Sequence, residues 1–208
     1  MSAFVTKSIC GGVGCAGVVG TGVYAATKYN EKAIVTVGDH LEKELKLKLI
    51  SSLSKEESTL KAQWDAEFSV DKEAAKKVIG EVTDNEGGNK LREWCERQLS
   101  MDIKDFKDLS NIKRWCVVGK NIDRLPKGKS ALNSQSQQSD WETIYNSAEN
   151  QKQENRKKFG LPNPKDEQNK STDIQKIKSS CDSKKDEEFL ASTKETSYDL
   201  FLNWCTKS

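Results

Sequence analysis

From Asp39 onward, apolar residues recur at helical spacing. Leu41, Leu45 and Leu49 fall every four residues, Leu47, Ile50 and Leu53 widen the stripe, and Asp39 stands as N-cap, which predicts a first helix. Ser54-Lys55-Glu56-Glu57 has the form of a capping box, and Leu60, Trp64 and Phe68 follow on one face of a second helix. Residues 72–82 offer Ala75, Val78, Ile79 and Val82, closed by the turn chemistry of Asp84-Asn85-Glu86-Gly87-Gly88. A fourth helix over 90–99 aligns Leu91, Cys95 and Leu99. A fifth over 105–117 aligns Phe106, Leu109, Ile112 and Cys116, before Pro126-Lys127-Gly128 ends the region.

Beyond that point the pattern thins. Residues 127–140 read as a polar linker, a short helix surrounds Trp141, Ile144 and Tyr145, and 149–170 is almost wholly polar. Such stretches bury too little apolar surface to offset backbone ordering entropy, so 127–140 and 160–175 are expected as mobile loops. Apolar mass returns in Phe189, Leu190, Tyr198, Leu200, Phe201, Leu202 and Trp204, which predicts a terminal helix docked on the core. The expected core is Leu41, Leu45, Leu49, Leu60, Trp64, Phe68, Leu91, Leu99, Leu109, Ile112, Trp115, Phe201 and Trp204. The expected organisation is a segment 1–27, a helical core region 28–126, the linker 127–140, and a helical region 141–208 packing back on the core.

The amino terminus has a different pattern. Residues 8–26 form an uncharged run of 19, close to the length that spans a bilayer's hydrocarbon core of roughly 30 Å as a helix. Six of them are Gly and none is Leu, so hydrophobic drive per residue is weak. Ser8, Gly12, Ala16 and Gly20, however, form a small-residue ridge for helix packing in a membrane, leaving Ile9, Val13, Val19 and Val23 to face lipid. We read 1–27 as a membrane anchor or signal-anchor. Gly12-Val13-Gly14-Cys15-Ala16-Gly17 also satisfies the dinucleotide-binding pattern, with Asp39 behind it. Yet Thr6, Lys7 and Ser8 stand where a buried strand should be apolar, and Gly20 and Gly22 would interrupt the helix that holds the pyrophosphate. Acylation at Cys15 or Cys10 is a further route to the same tether, with a short apolar run against it.

Charge narrows the function classes. The 208 residues carry 34 Lys and Arg against 32 Asp and Glu, so no electrostatic footprint for nucleic acid exists. A single histidine, His40, excludes paired-imidazole metal sites and is the one candidate for the commonest neutral-pH base. The acidic groups Asp102, Asp105 and Asp108, like Asp186, Glu187 and Glu188, lie among lysines as solvated helix surface does. No cofactor, small-molecule substrate or catalytic motif emerges, and we read the chain as non-enzymatic. Only 35% of residues are hydrophobic, below the roughly 45–50% of typical domains, so the core is thin for the length.

Cysteine placement is the sharpest signal. Three of five tryptophans directly precede cysteine, as Trp94-Cys95, Trp115-Cys116 and Trp204-Cys205, where composition alone predicts about 0.14 such pairs. Each of these cysteines has an apolar residue four positions earlier: Leu91, Ile112 and Phe201. Cys95, Cys116, Cys181 and Cys205 are an even set suited to two disulfides in a thinly cored chain, with buried thiols as the alternative. Four cysteines allow three connectivities. The shortest loops come from Cys95–Cys116 with Cys181–Cys205. Zinc is disfavoured because no pair has the C-x2-4-C spacing and His40 is distant. The fold expected is therefore mainly α: an anchor helix followed by a small disulfide-linked helical bundle with polar loops.

LREWCERQL, IKRWCVVG and LFLNWCTKS, together with the Gly/Ala-rich amino terminus, resemble the large paralogous families of uncharacterised proteins encoded by haemotropic mycoplasmas. The resemblance implies a membrane-anchored protein with its carboxy-terminal domain outside the cell, engaged in host-cell attachment or antigenic variation, with a host-cell surface protein as partner. The contrasting expectation is an intracellular or membrane-associated structural protein with reduced cysteines.

Overall fold

Trp64 and Phe68 lie four apart on helix α2 (Glu57–Val70), and Leu91, Cys95 and Leu99 four apart on α4 (Asp84–Leu99), so each helix presents one apolar stripe to the other. The computed structural model describes residues 34–162 and 166–208. Residues 1–33, and with them the expected anchor and its ridge of Ser8, Gly12, Ala16 and Gly20, lie outside the described residues. The fold is mainly helical. Before α2 come α1 (Val37–Asp39), continuing as a π-helical turn His40–Glu44, and a 3-10 turn Ile50–Ser52. Then follow α3 (Lys72–Ile79), α4, α5 (Ser110–Trp115), α6 (Gln138–Asn146), α7 (Gln153–Lys158), α8 (Lys170–Lys184) and α9 (Tyr198–Trp204). Two short strands, β1 (Ser130–Ala131) and β2 (Thr206–Lys207), pair antiparallel.

Buried apolar residues gather in two main clusters. One holds Leu41, Trp64, Phe68, Leu91, Trp94, Cys95, Trp115 and Cys116; the other holds Leu132, Trp141, Tyr145, Ile177, Cys181, Phe201, Trp204 and Cys205. A third, small cluster of Ala66, Phe189 and Tyr198 lies where α2 meets α9.

The two main clusters are built on one plan. Ile50 donates its backbone N–H to the Cys116 carbonyl, and Leu132 donates to Cys205. Leu49 bridges Val117 as Ala131 pairs with Thr206. Trp64 and Phe68 on α2 correspond to Trp141 and Tyr145 on α6, and Leu91 and Cys95 on α4 to Ile177 and Cys181 on α8. Cys116 and Cys205 cap the short helices α5 and α9, donating N–H to the Ile112 and Phe201 carbonyls. Even the outer bonds repeat. Val37 donates to the Met101 carbonyl and Ile103 to that of Val35, as Asn121 donates to Glu187 and Phe189 to Gly119. Residues 34–117 and 118–207 are thus two copies of one helical unit.

Several expectations need correction. The first helix stops at Glu44, because Lys46 adopts φ 56° and the Leu47 N–H returns to the Leu41 carbonyl, a left-handed closing turn. Leu45 is thereby turned outward and is 40% exposed. Its N-cap is Thr36, whose hydroxyl accepts from the Asp39 N–H at 3.1 Å. The 54–57 segment is no capping box: α2 starts at Glu57, and the Ser54 hydroxyl accepts from the Glu56 N–H. Helix α3 ends at Gly80, φ +90°, and the expected fifth helix is a 3-10 turn Ile103–Asp105 followed by α5. Leu109 is half-buried; the remaining expected core residues are buried.

Asp84-Asn85-Glu86-Gly87-Gly88 forms the first turns of α4. A Cβ on Gly87 would overlap the Phe68 ring, and one on Gly88 would overlap Asp65, so the two glycines let α2 and α4 approach closely. The polar linker 127–140 and the 160–175 segment are also structured among the described residues. Leu132 is 2% exposed beneath β1, and Ile174 is 1% exposed on α8. Leu132 in the first and Leu161 and Ile174 in the second, with the pairing of Ser130 and Ala131 to Lys207 and Thr206, hold sequence whose composition reads as loop.

Candidate functional site: disulfide centres and buried ion pairs

Each half closes on one disulfide. Cys95–Cys116 ties α4 to the cap of α5 with Cα atoms 5.5 Å apart, and Cys181–Cys205 ties α8 to the cap of α9 at 5.4 Å. The pairing is the shortest-loop connectivity. All four sulfurs sit in residues no more than 1% exposed, so they act as core and staple at once. Trp94 meets Trp115 edge-on at 6.0 Å in the first centre, and Phe159 tilts against Trp204 at 5.0 Å in the second.

Two charge pairs are buried among the described residues, and neither was foreseen. Glu67, fully buried on α2, accepts from Arg124 Nε at 2.6 Å and Nη2 at 3.3 Å, and from Gln63 Nε2 at 3.1 Å. Burial pushes the Glu67 carboxyl up, and the Arg124 guanidinium pulls it back. Arg124 also donates to the Val117 carbonyl, and its guanidinium lies flat where a Cβ on Gly119 would stand. Gln63 then reaches the other half: its amide donates to the Phe189 carbonyl at 3.0 Å and accepts from the Ala191 N–H at 2.7 Å. The Tyr198 hydroxyl donates to the Arg124 carbonyl at 2.7 Å, and burial raises its pKa to about 12. In the second half Arg156 Nη2 donates to Asp173 at 2.8 Å, where the Tyr145 hydroxyl also donates, and Arg156 Nε donates to the Pro162 carbonyl. In sequence these residues resemble any surface charge; no local spacing marks them.

The groups that could do chemistry are otherwise engaged at the surface. His40 Nδ1 lies 2.9 Å from Glu44 one turn on. Asp102 caps the 3-10 turn through the Lys104 N–H. Asp108 accepts from the N–H and hydroxyl of Ser110 at the start of α5, and these bonds hold its carboxyl below the usual range. Asp186 is held low by Lys120 at 2.8 Å. Among the described residues no three His, Cys, Asp or Glu side chains stand together to hold a metal ion.

Two open grooves mark the surface. One, of about 540 Å³, runs between the start of α2 and residues 190–192, lined by Leu53, Ser58, Thr59, Ala62, Leu190 and Ser192. The other, of about 650 Å³, lies over Val118 and Gly119 with Lys113, Arg114 and Lys120 at its rim; Arg114 is spoken for by Asp71. Among the described residues no helix is long and apolar enough to cross a membrane. No family model matches the chain, and neither a curated protein nor a solved structure matches it.

Proposed function

We propose that the protein is a non-enzymatic, membrane-tethered surface protein whose disulfide-closed helical body faces an oxidising exterior and binds a host-cell surface partner or presents a variable surface. The observation that supports this most is the closure of Cys95, Cys116, Cys181 and Cys205 into two buried disulfides, because such bonds persist in oxidising compartments and are rare in reducing ones. The uncharged run 8–26 supplies the tether. The polar turns around residues 133–139 and 166–169 are exposed over a cross-linked scaffold, so they can vary without loss of the core.

The test is labelling of intact cells with a membrane-impermeant amine reagent, with carbonate extraction of the membranes. The reading predicts labelled protein in the carbonate-resistant fraction, and release into the soluble fraction when residues 1–27 are deleted. Four freely alkylatable thiols in protein isolated under acid quench would instead favour an intracellular structural protein.

A further inference from the structure

The duplicated plan leaves one face of the first half uncovered. In the second half, Phe189 is 0% exposed, because Ala66 and Val70 of α2 lie over it together with Tyr198. Its counterpart in the first half is Ile103, since both donate N–H to the residue before a bridge, Ile103 to Val35 and Phe189 to Gly119. Nothing among the described residues takes the place of α2 there. Beside Ile103, Val35 is 38% and Met101 39% exposed, and Ile34, next along the chain, is 68% exposed, three of the five most exposed large apolar side chains among the described residues.

The opposite end is finished differently. Ala66 and Val70 follow Trp64 on α2 at the spacing at which Thr143 on α6 and its C-cap Ser147 follow Trp141, so the positions that would receive a third copy are polar. End units of repeat arrays carry such polar outer faces for solubility. The described residues therefore have one polar end and one apolar end.

We propose that the apolar end formed by Val35, Met101 and Ile103, with Ile34 next along the chain, rests on the surface of a lipid bilayer. This rests on the membrane-tethered reading above. The uncharged run ends at residue 26, and the seven residues 27–33 can extend at most about 25 Å, which keeps the face within reach of the headgroups. Lys28 and Lys32 outnumber Glu31 in that tether, and Lys104 beside Ile103 holds Asp102 at 3.7 Å, so Asp102 does not meet an anionic surface unpaired. A second copy of the chain is the poorer occupant, because a stable dimer needs about 20–30 residues a side and this face offers four.

The test uses the full chain with Cys10→Ser and Cys15→Ser, reconstituted in phosphatidylcholine–phosphatidylglycerol vesicles. An environment-sensitive fluorophore is attached through Met101→Cys, through Lys104→Cys, or through Thr143→Cys at the polar end, all exposed positions. Headgroup nitroxide lipid should quench the probes at 101 and 104 at least twofold more than the probe at 143. Equal quenching at all three positions in protein that floats with the vesicles overturns the surface-contact proposal and leaves the tether standing. Protein that fails to float with the vesicles overturns the tether, and the proposal falls with it.

Discussion

Ile50 and Leu132 hold the same station in the two halves: each donates its backbone N–H to the carbonyl of the second cysteine of its own disulfide. Both are buried, and both open the segment leading to a tryptophan-bearing helix. Energetic consequences should repeat as the geometry does.

The disulfides provide the first check. Their sequence separations are 21 and 24, so chain entropy assigns each about 3 kcal/mol. Replacing Cys95 and Cys116 together by Ser, or Cys181 and Cys205 together, should lower urea-unfolding stability by similar amounts. A gap of more than about 2 kcal/mol between the two variants would show that the halves are not energetically alike.

The buried pair of Glu67 and Arg124 should behave asymmetrically. Glu67→Gln leaves an uncompensated guanidinium in the interior and should cost about 3–5 kcal/mol. Glu67→Leu combined with Arg124→Met removes both charges and should recover most of that loss. Equal destabilisation by the single and double variants in denaturant titrations would contradict a charge-burial origin.

Gly87→Ala should destabilise by about 1–3 kcal/mol, because the added methyl meets the Phe68 ring. Phe68→Leu introduced into that variant should cost less than it does in the parent, an interaction a double-mutant cycle reads directly. Additive costs would separate the glycine from the helix contact.

Alkali provides a further test through Tyr198. With its folded pKa at about 12 against about 10 in the unfolded chain, the folded state holds the phenol proton longer. Its contribution is complete below pH 10 and is lost as pH rises from 10 to 12. Tyr198→Phe should therefore flatten the fall in melting temperature across that interval, at the expense of the bond to the Arg124 carbonyl. An unchanged slope would remove Tyr198 as the cause.

Helical content, the disulfide-forming cysteines and most of the core were legible because they rest on local spacing: Leu91 to Cys95, Ile112 to Cys116, Phe201 to Cys205 and Trp64 to Phe68 all sit four apart. What escaped depends on distant partners. Gly87 and Gly88 read as a turn until Phe68 and Asp65 are seen against them. Leu45 fits a helical stripe until the closing turn at Lys46 rotates it outward. Glu67, Arg124, Arg156 and Asp173 carry no local mark, since burial is decided by residues far along the chain. The duplication itself was hidden by the unequal helices between matching positions, 14 residues in α2 against nine in α6. Only the shared hydrogen-bond frame makes it visible.

In each half the opening extended residue pairs with the closing one, Leu49 with Val117 and Ala131 with Thr206. Entry and exit of the chain therefore lie side by side, and the next half begins where the previous one finishes. Each disulfide loop closes within its own half, while the halves stay joined by the Val118 N–H to the Lys48 carbonyl and by the buried pair of Glu67 and Arg124. Loss of either half would leave a buried charge without its partner in the other, Glu67 or Arg124, so the two halves are kept or lost together.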